Sequence, residues 1–207
     1  MHHEVSLSDL VFTSGRKYSD EILTFLLNKF RIQEPITRSL EASAEDVFAF
    51  FTDLRNGGIE ESVVAFRHDE DVDSGPYKER NANRLNAFIA AIEGDVHLTL
   101  GKPNLIFHVD VICVDVDYAR NGIGAELLKR SVKIAKDEGA DLLSTVATAQ
   151  ASQTLFRKEG FYTVRELPFS CFRENRIPIF RNLHDGGRSG LLMAFSLRSE
   201  DEDEDLR

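Results

Sequence analysis

The chain has 207 residues, 42% of them hydrophobic, and its 25 basic and 35 acidic side chains leave a formal net charge of −10. That length and apolar share suffice for one domain with a substantial core, and no apolar run approaches the roughly 20 residues of a membrane span. The charge balance and the lack of a basic stripe disfavour nucleic-acid binding by the whole chain, and the two cysteines, Cys113 and Cys171, form neither a disulfide framework nor a metal-ligand spacing.

In chain order, the N-terminus carries His2 and His3 but no signal-peptide pattern, so a reducing cytoplasm is the expected compartment. Residues 19 to 30 place Ile22, Phe25, Leu26 and Phe30 on one helical face, with Ser19 as the candidate N-cap. A second helix starts at Ser43, where Ser43 and Asp46 stand at the spacing of a capping box, and carries Val47, Phe48, Phe50 and Phe51. Ser62 to Arg67 reads as a strand. His68 to Asn83, acidic and interrupted by Gly75 and Pro76, reads as a loop. Leu85 to Ile92 reads as a helix. Then follow a strand from Phe107 to Val116, a helix from Gly122 to Glu138 stopped by Gly139, a buried strand from Leu142 to Thr148, and a helix from Ala149 to Glu159. Strands near Tyr162 to Pro168 and Leu191 to Leu197 complete a mixed α/β domain over residues 1–198. Residues 199–207 hold six acids and one arginine, and such a like-charged tail is expected to be disordered. The scattered histidines give no reason to expect a metal.

The segment from Val114 to Ala125 is the most informative. An apolar strand runs into a short loop, and a helix opens at the paired glycines Gly122 and Gly124. The first N–H groups of a helix have no intrahelical partner and its dipole favours an anion there, so this is a phosphate cradle. It is neither a P-loop, for want of Gly-Lys-Ser/Thr, nor a dinucleotide fingerprint, because Leu127 stands where the third glycine belongs. By itself the pattern is also that of an ordinary strand-turn-helix.

The frame Ala119-x-x-Gly122-x-Gly124 resembles motif A of the GNAT superfamily of acetyl-CoA-dependent N-acetyltransferases, Gln/Arg-x-x-Gly-x-Gly/Ala. Ala119 departs from it, and Arg120 stands one place later. About thirty residues on, Ser152 to Phe161 resembles the superfamily's second hallmark, a short helix ending in Gly-Phe. Phe156 occupies the place of its frequent general-acid tyrosine. Phe30 to Leu40 resembles the Phe-x-x-Asp-Glu-Pro-Leu segment of the invertebrate arylalkylamine N-acetyltransferases, with Phe30, Glu34 and Pro35 matching and Gln33 and Ile36 differing. The likeness continues through Phe169 to Phe172 and Gly190 to Ala194, so it covers nearly the whole chain.

The resemblance implies a single GNAT-like domain with a mixed central sheet flanked by helices, acetyl-CoA as co-substrate, and direct transfer to a small arylalkylamine of dopamine, serotonin, tyramine or octopamine type. Two alternatives stay open: a polyamine or protein N-terminus as acceptor, or a non-catalytic acyl-CoA-binding module. Oligomeric state stays open too. The N–H groups of Arg120, Asn121, Gly122, Ile123, Gly124 and Ala125 are expected to hold the pyrophosphate, with Arg120 adding a charge or remaining a solvated loop residue. Ile112, Cys113 and Val114 match the strand that bonds the pantetheine arm in the superfamily, and an N–H near Val114 would polarise the thioester oxygen. Cys113 is expected to be a core residue rather than a nucleophile.

By resemblance, Glu34 is the general base that removes the amine proton, against the alternative of a surface residue beside a proline turn. Ser152 and Thr148 match hydroxyl residues that assist thiolate departure, against the alternative of helix N-capping. Phe48 and Phe51 either line the acceptor pocket or belong to the core.

Overall fold

The computed structural model describes residues 18–56 and 75–198. The strand expected over Ser62 to Arg67 and the acidic tail lie outside the described residues.

The chain begins with α1 (Ser19–Phe25), which continues through a π-helical turn, Leu26–Phe30, into α2 (Arg31–Gln33). Ser19 is the first helical residue rather than the expected cap; Tyr18 takes the N-cap position and makes no side-chain capping bond. The helix ends at Glu34, whose ψ of 124° is extended, because a following proline clashes with an α-helical predecessor. Pro35 then opens α3 (Pro35–Ser39), at the helix position where a missing N–H costs nothing. In α4 (Ala44–Asn56) the capping box forms: Asp46 N donates to Ser43 Oγ at 3.1 Å and Ser43 N to Asp46 Oδ2 at 2.8 Å.

The next helix, α5 (Arg80–Glu93), starts five residues before the expected Leu85. The polar stretch read as a loop therefore joins the helix from residue 80. Long-range partners hold it there: Arg80 and Arg84 both reach Glu174, and the Asn83 amide bonds both backbone groups of Tyr77, at 2.9 and 2.8 Å. A short helix, α6 (Val96–Thr99), follows, capped by Asp95.

The remaining elements are β1 (Ile106–His108), α7 (Ile123–Asp137), β2 (Leu142–Ala147), α8 (Gln150–Lys158), β3 (Tyr162–Pro168), the hairpin β4 (Arg173–Glu174) and β5 (Ile177–Pro178), and β6 (Ser189–Ser196). Among the described residues the main sheet runs β1-β2-β6-β3. β1 and β2 are parallel, joined by the α7 crossover, and the other pairs are antiparallel. The mixed α/β expectation holds.

The strand expected to reach Val116 pairs only through His108. Val109 N still donates to Ser144 O at 2.9 Å, and the Thr145 hydroxyl donates to Val109 O at 2.8 Å. From Asp110 to Val114 no backbone hydrogen bond forms among the described residues, and Val116–Tyr118 turns as a 3₁₀ helix. The segment leaves β2, and that departure opens the site described below.

Side chains alternate across the sheet, so each face has its own core. On β6, Leu192 packs with the aromatic cluster of α1 to α5, whereas Leu191 and Met193 pack under α7 and α8 with Leu128, Phe156 and Phe161. Gly190 is required at the crossing of α5, since a Cβ there would lie 2.5 Å from Ile92 Cδ1. Among the described residues no helix is long and apolar enough to cross a membrane.

Candidate active site

Glu34 is the N-cap of α3 and is only 7% exposed. Its Oε1 accepts from Ile36 N at 3.2 Å and from Thr148 Oγ1 at 2.7 Å. Its Oε2 accepts from Thr37 N and from Thr37 Oγ1, both at 2.7 Å. These donors fill the about four lone-pair sites of a carboxylate. Burial nevertheless pushes the Glu34 carboxyl above the ordinary carboxylate range, with the bonds from Thr37, Thr148 and Ile36 opposing it. The alternative of a surface residue at a proline turn is excluded by this burial.

Thr148 leaves the end of β2 and is itself buried. It does not cap α8: Ala149 occupies the N-cap and makes no side-chain bond. The Thr148 hydroxyl instead crosses to Glu34, 114 positions away in sequence. Ser152, in the first turn of α8, donates to Ala149 O at 2.8 Å and faces the same cavity.

The glycine loop has the shape of a cradle. Gly122 is the N-cap of α7 with φ 77°, and among the described residues no side chain caps that end. Glu126 N is the first to find an intrahelical acceptor, Gly122 O at 3.0 Å; the N–H groups of Ile123, Gly124 and Ala125 have no partner among the described residues. A Cβ on Gly124 would meet Leu155 Cδ2 at 3.4 Å and Val114 Cγ2 at 3.8 Å, so glycine keeps this end of α7 close to α8 and to the splayed segment. Arg120 also has positive φ, 67°. A non-glycine residue in that region stores strain, which clusters at ligand-binding turns. The Asn121 amide holds the turn through Tyr118 O at 3.0 Å. The π-helical turn is fixed to the approach of this loop by Lys29 and Asp115, 2.7 Å apart.

One cavity of about 940 Å³ runs past all these groups. Glu34, Thr148 and Ser152 line it, as do Ile112, Cys113 and Val114 and the turn from Ala119 to Ala125 apart from Asn121. Burial, with the charges of Asp115 and Glu34, pushes the Cys113 thiol up to about 11. It stays protonated at neutral pH, as a core-type cysteine should. Phe51 is fully buried and forms part of the wall beside Phe30, Phe50 and Tyr77.

Phe48 does not belong there. It is 51% exposed and lines a separate shallow hollow with Ala44, Glu45, Ala49 and Glu79. Helical geometry explains the split: Val47, Phe50, Phe51 and Leu54 share one stripe, and Phe48 is turned about 100° from Val47.

Several lining residues escaped the sequence. Thr37 stands three places after Glu34 at the spacing of a helix cap, and that signal was readable. Asp53, Glu93, His108 and Asp110 come from distant segments. His108 Nδ1 lies 2.7 Å from Ser144 Oγ, and its Nε2 faces Glu93 Oε1 at 3.4 Å and Asp110 Oδ1 at 3.8 Å. Burial raises both of those carboxyls, with the His108 charge opposing. Among the described residues no cluster of His, Cys, Asp or Glu is placed to hold a metal.

A family model for the acetyltransferase (GNAT) domain matches residues 60–171, more than half of the 207. The chain belongs to the GNAT acetyltransferase family. The match takes in the glycine cradle and the hydroxyl pair of this GNAT domain, while Glu34 precedes it. No curated protein matches the sequence. Among solved structures, arylalkylamine N-acetyltransferase 2 from Aedes aegypti is similar with a TM-score of 0.71 at 16% identity, covering 90% of this chain and 98% of that one. The Drosophila melanogaster polyamine N-acetyltransferase, which catalyses the formation of N-acetylagmatine, has a TM-score of 0.63 at 18% identity, covering 87% and 96%. The C-terminal condensation domain of Ebony, in complex with beta-alanyl-dopamine, has a TM-score of 0.66 at 12% identity, covering 87% and 95%. At these identities the likeness establishes the fold.

Proposed function

We propose that this protein transfers the acetyl group of acetyl-CoA directly to the nitrogen of a small arylalkylamine within a ternary complex. The observation that carries this reading is the buried Glu34–Thr148 pair, 2.7 Å apart, in one cavity with the open N-terminus of α7.

The residues fit acetyl-CoA. The uncapped N–H groups of Ile123, Gly124 and Ala125 suit a pyrophosphate, and Arg120 lines the same end of the cavity. The backbone of Ile112, Cys113 and Val114, without a backbone partner among the described residues, suits the amides of a pantetheine arm. Val114 N–H suits a thioester oxygen that gains charge during attack.

The acceptor arrives as an ammonium, since such amines titrate near the lysine value of about 10.4. All lone-pair sites of Glu34 are occupied, so the proton reaches it by relay. The ammonium gives a proton to Thr148 Oγ1 while the hydroxyl proton of Thr148 passes to Glu34 Oε1. The neutral nitrogen then bonds to the acetyl carbon as the C–S bond breaks. The Ser152 hydroxyl turns from Ala149 O to donate a hydrogen bond to the departing thiolate, and the surplus proton on nitrogen completes the thiol. Thr148 thereby serves amine deprotonation, rather than the thiolate assistance its resemblance implied. The rings of Phe30, Phe51 and Tyr77 suit an aryl group.

A specific observation favours a second acceptor class. Glu93, His108 and Asp110 line the same cavity, and a second positive charge on a polyamine or agmatine-like acceptor would match those carboxylates. Thiol release from acetyl-CoA, measured with dopamine, serotonin, tyramine, octopamine, spermidine, agmatine and peptide N-termini, separates the classes. Faster turnover of the aryl amines supports the leading reading, and faster turnover of spermidine or agmatine supports the second. Acetyl-CoA binding without turnover of any amine overturns both and leaves an acyl-CoA-binding module.

A further inference from the structure

The helix that presents Ser152, and follows Thr148, has no cap of its own. Ala149 at its N-cap offers no side-chain acceptor. The acceptor comes from another part of the chain: Asp185 Oδ2 takes Gln150 N at 2.9 Å. Asp185 Oδ1 at the same time takes Gly187 N at 2.9 Å, which closes the turn that carries it. Gly186 N donates to Leu183 O at 3.0 Å, and Gly186 has a positive φ of 71°. The carboxylate is thus held by its own loop and presented to the helix.

A second tie lies just inside the first. Gln153 is buried, and its Nε2 donates to Ser189 O at 2.8 Å and to Ala147 O at 3.2 Å. Ala147 and Leu191 form the last pair of the β2–β6 ladder. Gln153 therefore closes the gap where the two strands part, between the end of β2 and the start of β6. Thr148 lies between these two anchors. Its backbone follows a carbonyl fixed by Gln153 and precedes a helix end fixed by Asp185. A hydroxyl can bridge 2.7 Å to Glu34 Oε1 only if both flanks keep their place.

We infer that Asp185 is a positioning residue for acetyl transfer, holding the start of α8 so that Thr148 and Ser152 meet Glu34 and the departing sulfur. The inference rests on the proposed acetyl transfer. Asp185 is absent from the residues lining the cavity and acts through the helix end. An asparagine oxygen can also accept from Gln150 N, and asparagine caps helices about as well as aspartate, but its amide nitrogen then faces Gly187 N and gives up that second bond.

The test compares D185A, D185N and T148V, with the double variant T148V/D185A, in steady-state thiol-release assays at fixed pH using tyramine. D185A is expected to lose roughly tenfold in kcat, toward the low end of what displacing a catalytic group costs. KM for acetyl-CoA should stay within about twofold of the parent, because the cradle on α7 is untouched. D185N, which can keep the bond to Gln150 N, should recover part of the lost kcat. In the T148V background, adding D185A should lower kcat by less than it does in the parent, because one of the two hydroxyls it positions is already gone and only Ser152 still depends on it. Melting temperature, followed in parallel, separates loss of fold from loss of position. Parental kcat in a folded D185A, an undiminished effect in the T148V background, or a D185N as impaired as D185A would each overturn the positioning role. A parent that turns over no amine would instead overturn the acetyl-transfer reading on which it stands.

Discussion

Replacing Glu34 by glutamine tests the centre of the proposed mechanism with the least disturbance of the fold. The amide can sit two ways. With its oxygen in the Oε2 position it keeps both Thr37 bonds, and its nitrogen meets Thr148 Oγ1, which can rotate and accept. The bond lost is the longest of the four, Ile36 N at 3.2 Å. The opposite orientation would set an amide nitrogen against Thr37 N at 2.7 Å, two donors face to face. A hydrogen bond to a charged group is worth about 1.5–3 kcal/mol, and relief of carboxylate burial offsets part of it. The net stability change in E34Q should therefore stay within about 2 kcal/mol. Turnover, by contrast, should fall by roughly a hundredfold or more, the usual scale of losing a general base. Acetyl-CoA affinity should hold. The defect should shrink as pH rises toward the amine's own pKa, because solution then supplies neutral amine. Thiol release with tyramine across neutral and alkaline pH is the assay. An E34Q protein with parental turnover at neutral pH would refute the reasoning and leave Glu34 as a helix cap.

The same carboxyl makes a prediction about stability. Its folded pKa lies above the ordinary value of 4.5, with burial the leading cause, so its favourable contribution is complete below that value and is lost as pH rises through the folded pKa. The melting temperature of E34Q minus that of the parent should climb over this window, and a flat difference would contradict the burial effect. Gly122→Val would demand φ near 77° from a β-branched residue and place a side chain in the cradle; calorimetry should show lost acetyl-CoA affinity in a folded protein. Cys113→Ala should keep turnover within a few-fold, and trapping of an acetyl-enzyme in the parent would argue against direct transfer. In the parent, alkylation of Cys113 should be slow at pH 8, where a thiol titrating at about 11 is roughly one part in a thousand thiolate, and should accelerate tenfold per pH unit.

The amino-acid sequence alone determined those features that rest on local chemistry. Paired glycines after an apolar strand locate the open helix end at Gly122, because backbone conformation and dipole are properties of a few neighbouring residues. The Ser43–Asp46 capping box, the break at Glu34 before Pro35, and the helical stripe of Val47, Phe50 and Phe51 are local in the same sense. Sequence also carried the likeness that singled out Glu34 and the hydroxyls near α8. Tertiary structure decided what depends on meetings across long separations. Whether Thr148 caps its own helix or serves Glu34 turns on a bond spanning 114 residues. The early start of α5 depends on Glu174, 94 residues from Arg80. The helical stripe already sets Phe48 apart from Phe51, and the packing of α4 decides which of the two faces meets the cavity wall and which meets solvent. The strand beyond His108 has the apolar character of a paired strand, yet Thr145 Oγ1 donates to the Val109 carbonyl and the chain departs from β2. A one-dimensional pattern records a residue's affinity for burial or for hydrogen bonds. Which partner satisfies it is fixed by the geometry of the folded chain, and in this protein the candidate chemistry lies in those partnerships.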